Sequence, residues 1–239
     1  MSADPLRDLR VLVATACRVL GRRGLVDGVL GHVSARVTED RFLVRCRGPH
    51  ERGVARTEPE DIRLVDLDGN HVEPSEGWHV PKELAIHTSV LTARPDVAAV
   101  VHAHPRNVLL CGLAGLAPRP VFGAYNIPAL HLAIGGVPVY QRPILITRAE
   151  LGAEMVAAMG DRPACILRGH GITVAGTSVE AATLTAVDLD ELCAVTLALA
   201  RLGADVPDVA LEDQAELPDL GAAFNDQLRW QAVVSELDA

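Results

Sequence analysis

Residues 80–105 read VPKELAIHTSVLTARPDVAAVVHAHP, from Val80 to Pro105. The apolar run Val97–Val101, closed by Pro105, has the valine and alanine content of a buried strand. His102 and His104 follow at an i, i+2 spacing, which puts both imidazoles on one face of that strand. Upstream, KELAIHTSVLTA predicts a helix with Glu83 in its first turn. The chain reverses at Arg94-Pro95-Asp96, so the carboxylate and the two histidines can meet at one rim. The expectation is an α/β chain in which helix starts and strand ends face the same edge of a sheet.

A third histidine lies in Arg168-Gly169-His170-Gly171, after the apolar run Ala164–Leu167. Its flanking glycines allow a sharp turn and a close approach to another group. His102 and His104 could simply end a strand. With His170 and Glu83 they form the kind of set that holds a catalytic divalent metal, three neutral imidazoles leaving an open position. Zinc or manganese is expected first, with iron and magnesium also open, because imidazole suits several of these ions. Glu83 can move a proton or occupy the metal at rest.

The chain has 239 residues, enough for one sizeable α/β domain spanning 1–239. Aromatic residues make up 3% against 49% apolar overall, so alanine, valine and leucine must build the core. The five cysteines (Cys17, Cys46, Cys111, Cys165, Cys193) are scattered and form no CxxC. A reducing, cytoplasmic setting is expected, with no thiolate metal site and no signal or membrane segment. The net charge is −9, and from Gly203 onward nine acids face one base. An acidic tail (203–239) on a nearly neutral body argues against nucleic-acid binding.

Along the chain, Asp4-Pro5 predicts a helix start, with Gly21 and Gly24 as its stop. Strands are expected at Val33–Val37, Phe42–Cys46, Ile62–Leu67, Ala164–Leu167 and Ile172–Ala175. Helices are expected at Arg106–Leu113, from a Thr147–Glu150 capping box to Met159, from Thr177 or Ser178 to Leu202, and from Leu220 to Leu237. The arginines at 36, 41, 45, 47, 52, 56 and 63 suit planar carboxylates, though most can be solvated. Arg47, beside Gly48-Pro49, stands out at a strand end. Lys82 is the sole lysine. A Schiff-base role for it is disfavoured, because the histidine set already offers a metal route. His87, one turn after Glu83, is a candidate to orient it.

The ensemble E-x-x-x-H (Glu83, His87), H-x-H-P (His102–Pro105) and G-H-G-I (Gly169–Ile172) resembles the class II aldolase/adducin family. So do GLVDGVLGHVSARV (Gly24–Val37) and GITVAGTSVEAA (Gly171–Ala182), and the likeness runs from about Leu6 to Ala200. The resemblance implies a three-layer αβα sandwich around a central, mostly antiparallel sheet. It also implies a homotetramer in which the C-terminal segment can reach a neighbour's site. The matching glutamate and histidines, Glu83 with His102, His104 and His170, do the catalytic and metal-binding work in that family. They cleave a C–C bond whose electrons pass into an enolate.

Sugar-phosphate aldolases of the family bear an asparagine in the glycine loop and serines before the glutamate. Here the loop reads Gly31-His32-Val33-Ser34, and Val80-Pro81-Lys82 precedes Glu83. GHVS, RCRGPHERG and WHVPKELAIHT look instead like the decarboxylase branch, which acts on ortho-hydroxylated aromatic or pyridine dicarboxylates such as dihydroxyphthalate. On that resemblance the small-molecule substrate loses CO2 after its ring shifts toward a keto form, and an acid protonates the ring carbon. Arg47 or Arg52 would hold the second carboxylate, Glu83 would donate the proton with Lys82 or His79 as aids, and His32 and Ser34 would line the substrate site. A sugar-phosphate aldolase is the first alternative. A non-catalytic adducin-like interaction module is the second, and the intact set of Glu83 and three histidines counts against it.

Overall fold

Short runs of β-branched and small residues form seven strands in a computed structural model that describes residues 4–218 and 220–237. In chain order the elements are α1 (Arg7–Arg22), β1 (His32–Arg36), β2 (Arg41–Arg45), β3 (Ile62–Asp66), α2 (Leu84–Ala93), β4 (Ala99–Ala103), α3 (Arg106–Ala114) and α4 (Ile127–Ala133). There follow β5 (Val139–Tyr140), α5 (Ala149–Met159), β6 (Ala164–Leu167), β7 (Gly171–Gly176), α6 (Val179–Leu202), α7 (Leu211–Glu216) and α8 (Arg229–Ser235). The strands make one sheet in the order β3-β2-β1-β4-β7-β6-β5. Every neighbouring pair is antiparallel except β5 with β6. The expected mostly antiparallel sheet between helical layers is therefore present.

Strand period decides which side chains meet which layer. Val33 and Ala35 of β1, with Ala99, Val101 and Ala103 of β4, pack with Val13, Cys17 and Leu20 of α1, Val108 of α3 and Leu189 of α6. The alternate residues face the other way. There Val100 of β4 and Val44 of β2 pack with Ile86 and Val90 of α2 and Leu151 and Met155 of α5. Fully burying each such Val, Leu, Ile or Met stabilises by roughly 1.5–3 kcal/mol. By the same parity, His32, Ser34 and His102 point toward the α2 and α5 layer. The chain has few aromatic residues, and its helices close on small ones: a Cβ built on Gly152 of α5 would lie 2.0 Å from Ser89 Oγ of α2.

Local expectations fail where tertiary contacts take over. The α1 helix runs through Gly21, which packs against Ala55 and does not end it; Gly24, at φ +73°, supplies the left-handed turn just beyond. The Thr147–Glu150 capping box does not form. Arg148 holds the N-cap position of α5 without a side-chain cap, so Glu150 falls one residue too early to reach back. Ser178 does cap α6, accepting from Ala181 N–H at 3.0 Å. Helix α4 is begun by Asn126, whose side chain accepts from Ala129 N–H. The tail carries α7, then a π-helical stretch Ala223–Leu228 leading into α8. Among the described residues no helix is long and apolar enough to cross a membrane. The expected domain span 1–239 includes residues 1–3, 219, 238 and 239, which lie outside the described residues.

Candidate metal centre

Glu83, His102, His104 and His170 converge so that one ligand atom from each lies within 4.8 Å of the others. Glu83 is the N-cap residue of α2, His102 lies in β4, His104 lies just beyond that strand, and His170 occupies the turn between β6 and β7. The antiparallel pairing of β4 with β7 sets His102 opposite Thr173 and brings the His170 turn alongside. Glu83 Oε2 stands 3.6 Å from His102 Nε2 and 3.3 Å from His170 Nε2. Its other oxygen, Oε1, accepts the Ile146 backbone N–H at 2.8 Å. That bond holds the carboxylate in place, and sequence reasoning missed it, because a backbone donor in a loop carries no residue signature.

The nitrogen chemistry fits a bound cation. His102 Nδ1 lies 2.9 Å from the Ile172 carbonyl, so it carries the proton there and Nε2 is left with a lone pair. His104 Nε2 faces that lone pair at 2.9 Å. Both His170 ring nitrogens are buried without a hydrogen-bond partner among the described residues. Burial lowers the pKa of His102 and, with the charges of His102 and His170, pushes His104 down to about 3. Burial thus favours the neutral form of His102 and His104, the form a ligand must take. Burial opposes ionisation of Glu83, but contact with His102 and His170 outweighs it and holds the carboxyl well below its usual range. Neutral imidazole lone pairs and an ionised carboxylate crowded together are reconciled by a positive charge at their centre. A divalent ion suits this donor set.

The remaining predicted site residues divide. His32 sits in β1 opposite His102, and the two rings are 4.9 Å apart, tilted by 33°. Burial, together with His87 and His102, drives the His32 pKa well below its ordinary value. Ser34, expected at the substrate, is fully buried with its hydroxyl 2.6 Å from His87 Nδ1, so it cannot touch a ligand directly. His87 does not orient Glu83. Glu83 has the non-helical backbone of an N-cap, off the helical face that carries His87, and His87 bonds to His32 and Ser34 instead. Arg47 follows β2, its backbone bridged to His79, and is half-buried. Arg52 is exposed and 3.6 Å from Glu58, and Lys82 is exposed. The arginine that sequence pattern could not separate from its neighbours is Arg45. It is 3% exposed and clamps Glu51 at 2.5 Å and Thr57 at 3.0 Å, which pins the loop carrying Arg47 and Arg52.

This centre and fold have counterparts. A 3,4-dihydroxyphthalate decarboxylase from Arthrobacter keyseri is 52% identical over 233 residues, 96% of this chain and 94% of its own length. One from Rhodococcus jostii (strain RHA1) is 48% identical, covering 98% of both chains. Among solved structures, an aldolase II superfamily protein from Pseudomonas syringae superposes with a TM-score of 0.82 at 23% identity, over 99% of this chain and 95% of that one. The sequence profile of the Class II Aldolase and Adducin N-terminal domain matches residues 11–197, which takes in every residue of the centre, and on that match the chain belongs to the class II aldolase and adducin family.

Proposed function

We propose that this protein is a metal-dependent carboxy-lyase that removes CO2 from an ortho-hydroxylated aromatic dicarboxylate such as 3,4-dihydroxyphthalate. The observation that carries the substrate class is the near-full-length likeness, at about half identity, to 3,4-dihydroxyphthalate decarboxylases. The chemistry follows from Glu83 and the three histidines. A divalent ion held by His102, His104 and His170, with zinc or manganese favoured, would supply Lewis-acid stabilisation of negative charge on the substrate's carboxylate and neighbouring hydroxyl oxygen.

Glu83 is ionised, so it begins as a base. It takes the proton of the ring hydroxyl and delivers it to the ring carbon bearing the departing carboxylate, giving the keto form. The C–C bond then breaks, its electron pair flows to the keto oxygen, the aromatic ring is restored as a phenolate, and CO2 leaves. A proton from solvent returns the hydroxyl, so the net change is one proton taken up for each CO2 lost. The Ile146 N–H keeps Oε1 fixed, which leaves Oε2 as the oxygen that moves the proton. Arg47, half-buried with no side-chain partner among the described residues, is the candidate to grip the second carboxylate, and Arg52 is the alternative.

We read residues 1–239 as one domain acting as a cytoplasmic homotetramer. Membership of the family is what supports self-association, and the five free, buried cysteines agree with a reducing compartment. The test is CO2 release from 3,4-dihydroxyphthalate by metal-replete protein, with His102→Ala as the blank. Release that vanishes in the variant supports the proposal. Turnover of a phosphorylated ketose with none of the aromatic dicarboxylate would replace it with an aldolase.

A further inference from the structure

Ser34, His87 and His32 form a buried line that ends beside the metal centre. Ser34 Oγ lies 2.6 Å from His87 Nδ1, and His87 Nε2 lies 2.6 Å from His32 Nδ1. Ser34 and His87 have no exposed surface, and His32 keeps 6%. The His32 ring packs at 4.9 Å against that of His102. Among the described residues the His32 Nε2 has no protein partner, yet it is not sealed off like the nitrogens of His170.

Proton counting gives the line a direction. A neutral imidazole carries one N–H, and one of its nitrogens accepts. Neutral forms are required here, since a charge on fully buried His87 would have no carboxylate bonded to it. The Ser34 hydroxyl proton has a single acceptor among the described residues, His87 Nδ1. If Ser34 donates there, the His87 proton sits on Nε2 and is donated to His32 Nδ1, so the His32 proton sits on Nε2. The reverse order would leave the serine proton unpaired in a fully buried position, which is the costlier arrangement.

We infer that Ser34 and His87 are positioning residues that lock His32 in its Nε2–H tautomer, so that His32 offers a fixed N–H donor to an anionic oxygen of the substrate beside the metal centre. The identity of that substrate rests on the decarboxylase reading; the tautomer does not. A donor oriented before binding favours carboxylate or phenolate oxygens, which only accept, over hydroxyls that need an acceptor. His32 is thereby excluded as a metal ligand, because neither nitrogen has a free lone pair.

The test uses zinc-loaded protein labelled with nitrogen-15 histidine. Long-range proton–nitrogen NMR reads each ring, and His32→Gln assigns the His32 signals. The expected spectrum has His32 in one form, Nδ1 bare and Nε2 protonated, and Ser34→Ala converts it to a tautomer mixture. With 3,4-dihydroxyphthalate, Ser34→Ala should raise KM roughly tenfold with kcat changed by less than about threefold, as for loss of one oriented hydrogen bond, and with zinc content unchanged. A proton on His32 Nδ1, or an Ser34→Ala spectrum like wild type, overturns the relay. The wild-type spectrum alone decides the tautomer should a variant not fold. No turnover by wild type would sink the decarboxylase reading, and the NMR result would still decide the relay.

Discussion

Glu83 Oε2 stands 3.3 Å from His170 Nε2, a contact between the cap of α2 and the turn joining β6 to β7, while Glu83 Oε1 is held by Ile146 N–H at 2.8 Å. One oxygen is thus anchored and the other faces His102 and His170. Glu83→Gln keeps an oxygen for Ile146 but cannot carry a proton. Turnover should fall by about 10²–10⁴ while the metal stays bound. CO2 release and metal content in the same preparation check this, and turnover within tenfold of wild type would remove Glu83 as the proton carrier.

Among the described residues His170 has no hydrogen-bond partner for either buried nitrogen, so its role is expected to be ligation. His170→Ala should lose bound divalent metal after dialysis and keep its secondary structure. Chelation of the wild-type protein should abolish turnover, and added zinc or manganese should restore it. Full metal occupancy in His170→Ala by elemental analysis would contradict the ligand set.

His87 is fully buried, and burial above all pushes its pKa down to about 3 from an ordinary 6.5. The unfolded chain therefore binds a proton at His87 below pH 6.5 that the folded chain refuses. Stability is fully present above 6.5 and is lost as pH falls from there toward 3, by about 1.4 kcal/mol per pH unit for this group. Denaturant unfolding at pH 7 and pH 5 should differ by roughly 2 kcal/mol more in wild type than in His87→Gln. Equal differences would show that His87 is not buried neutral.

Gly171 joins the His170 turn to β7 where a Cβ would lie 2.2 Å from the Ala103 carbonyl oxygen and 2.8 Å from His104 Cδ2. Gly171→Ala must push β7 from β4 and displace His104. A loss of roughly 1–3 kcal/mol and weaker metal binding are expected. Calorimetry and metal titration measure both, and a wild-type metal affinity would mean that the ligand cage tolerates the shift.

Arg229 grips buried Asp188 with contacts of 2.5 and 3.0 Å, which ties α8 to α6. Arg229→Ala leaves a carboxylate 3% exposed with, among the described residues, only Asn126 on it. The expected cost is about 3 kcal/mol, the low end for a buried pair because Arg229 itself is partly exposed, and the tail beyond Gly203 should become protease-sensitive. Asp188→Asn in the same chain should recover much of the loss. If the single variant matches wild type in proteolysis, the tail is held by other contacts.

Residue chemistry and short-range spacing made the centre legible. The i, i+2 histidines, the glycine-flanked His170 and a glutamate at a helix start are local patterns, and a strand or turn has few ways to present them. The strand Ala164–Leu167 and the Met159 end of α5 were readable for the same reason. What stayed hidden depends on sheet register and on backbone groups. His32 meets His102 because β1 pairs with β4 in one particular alignment, and a slip by one residue would turn His32 and Ser34 to the α1 layer. Ser34 faces His87 through that same parity, and Ile146 finds Glu83 by a bare N–H. Asp188 and Arg229 are joined across elements whose separate sequences show only an acidic and a basic residue. Local pattern names which groups can do chemistry; pairing across the sheet chooses which of them touch.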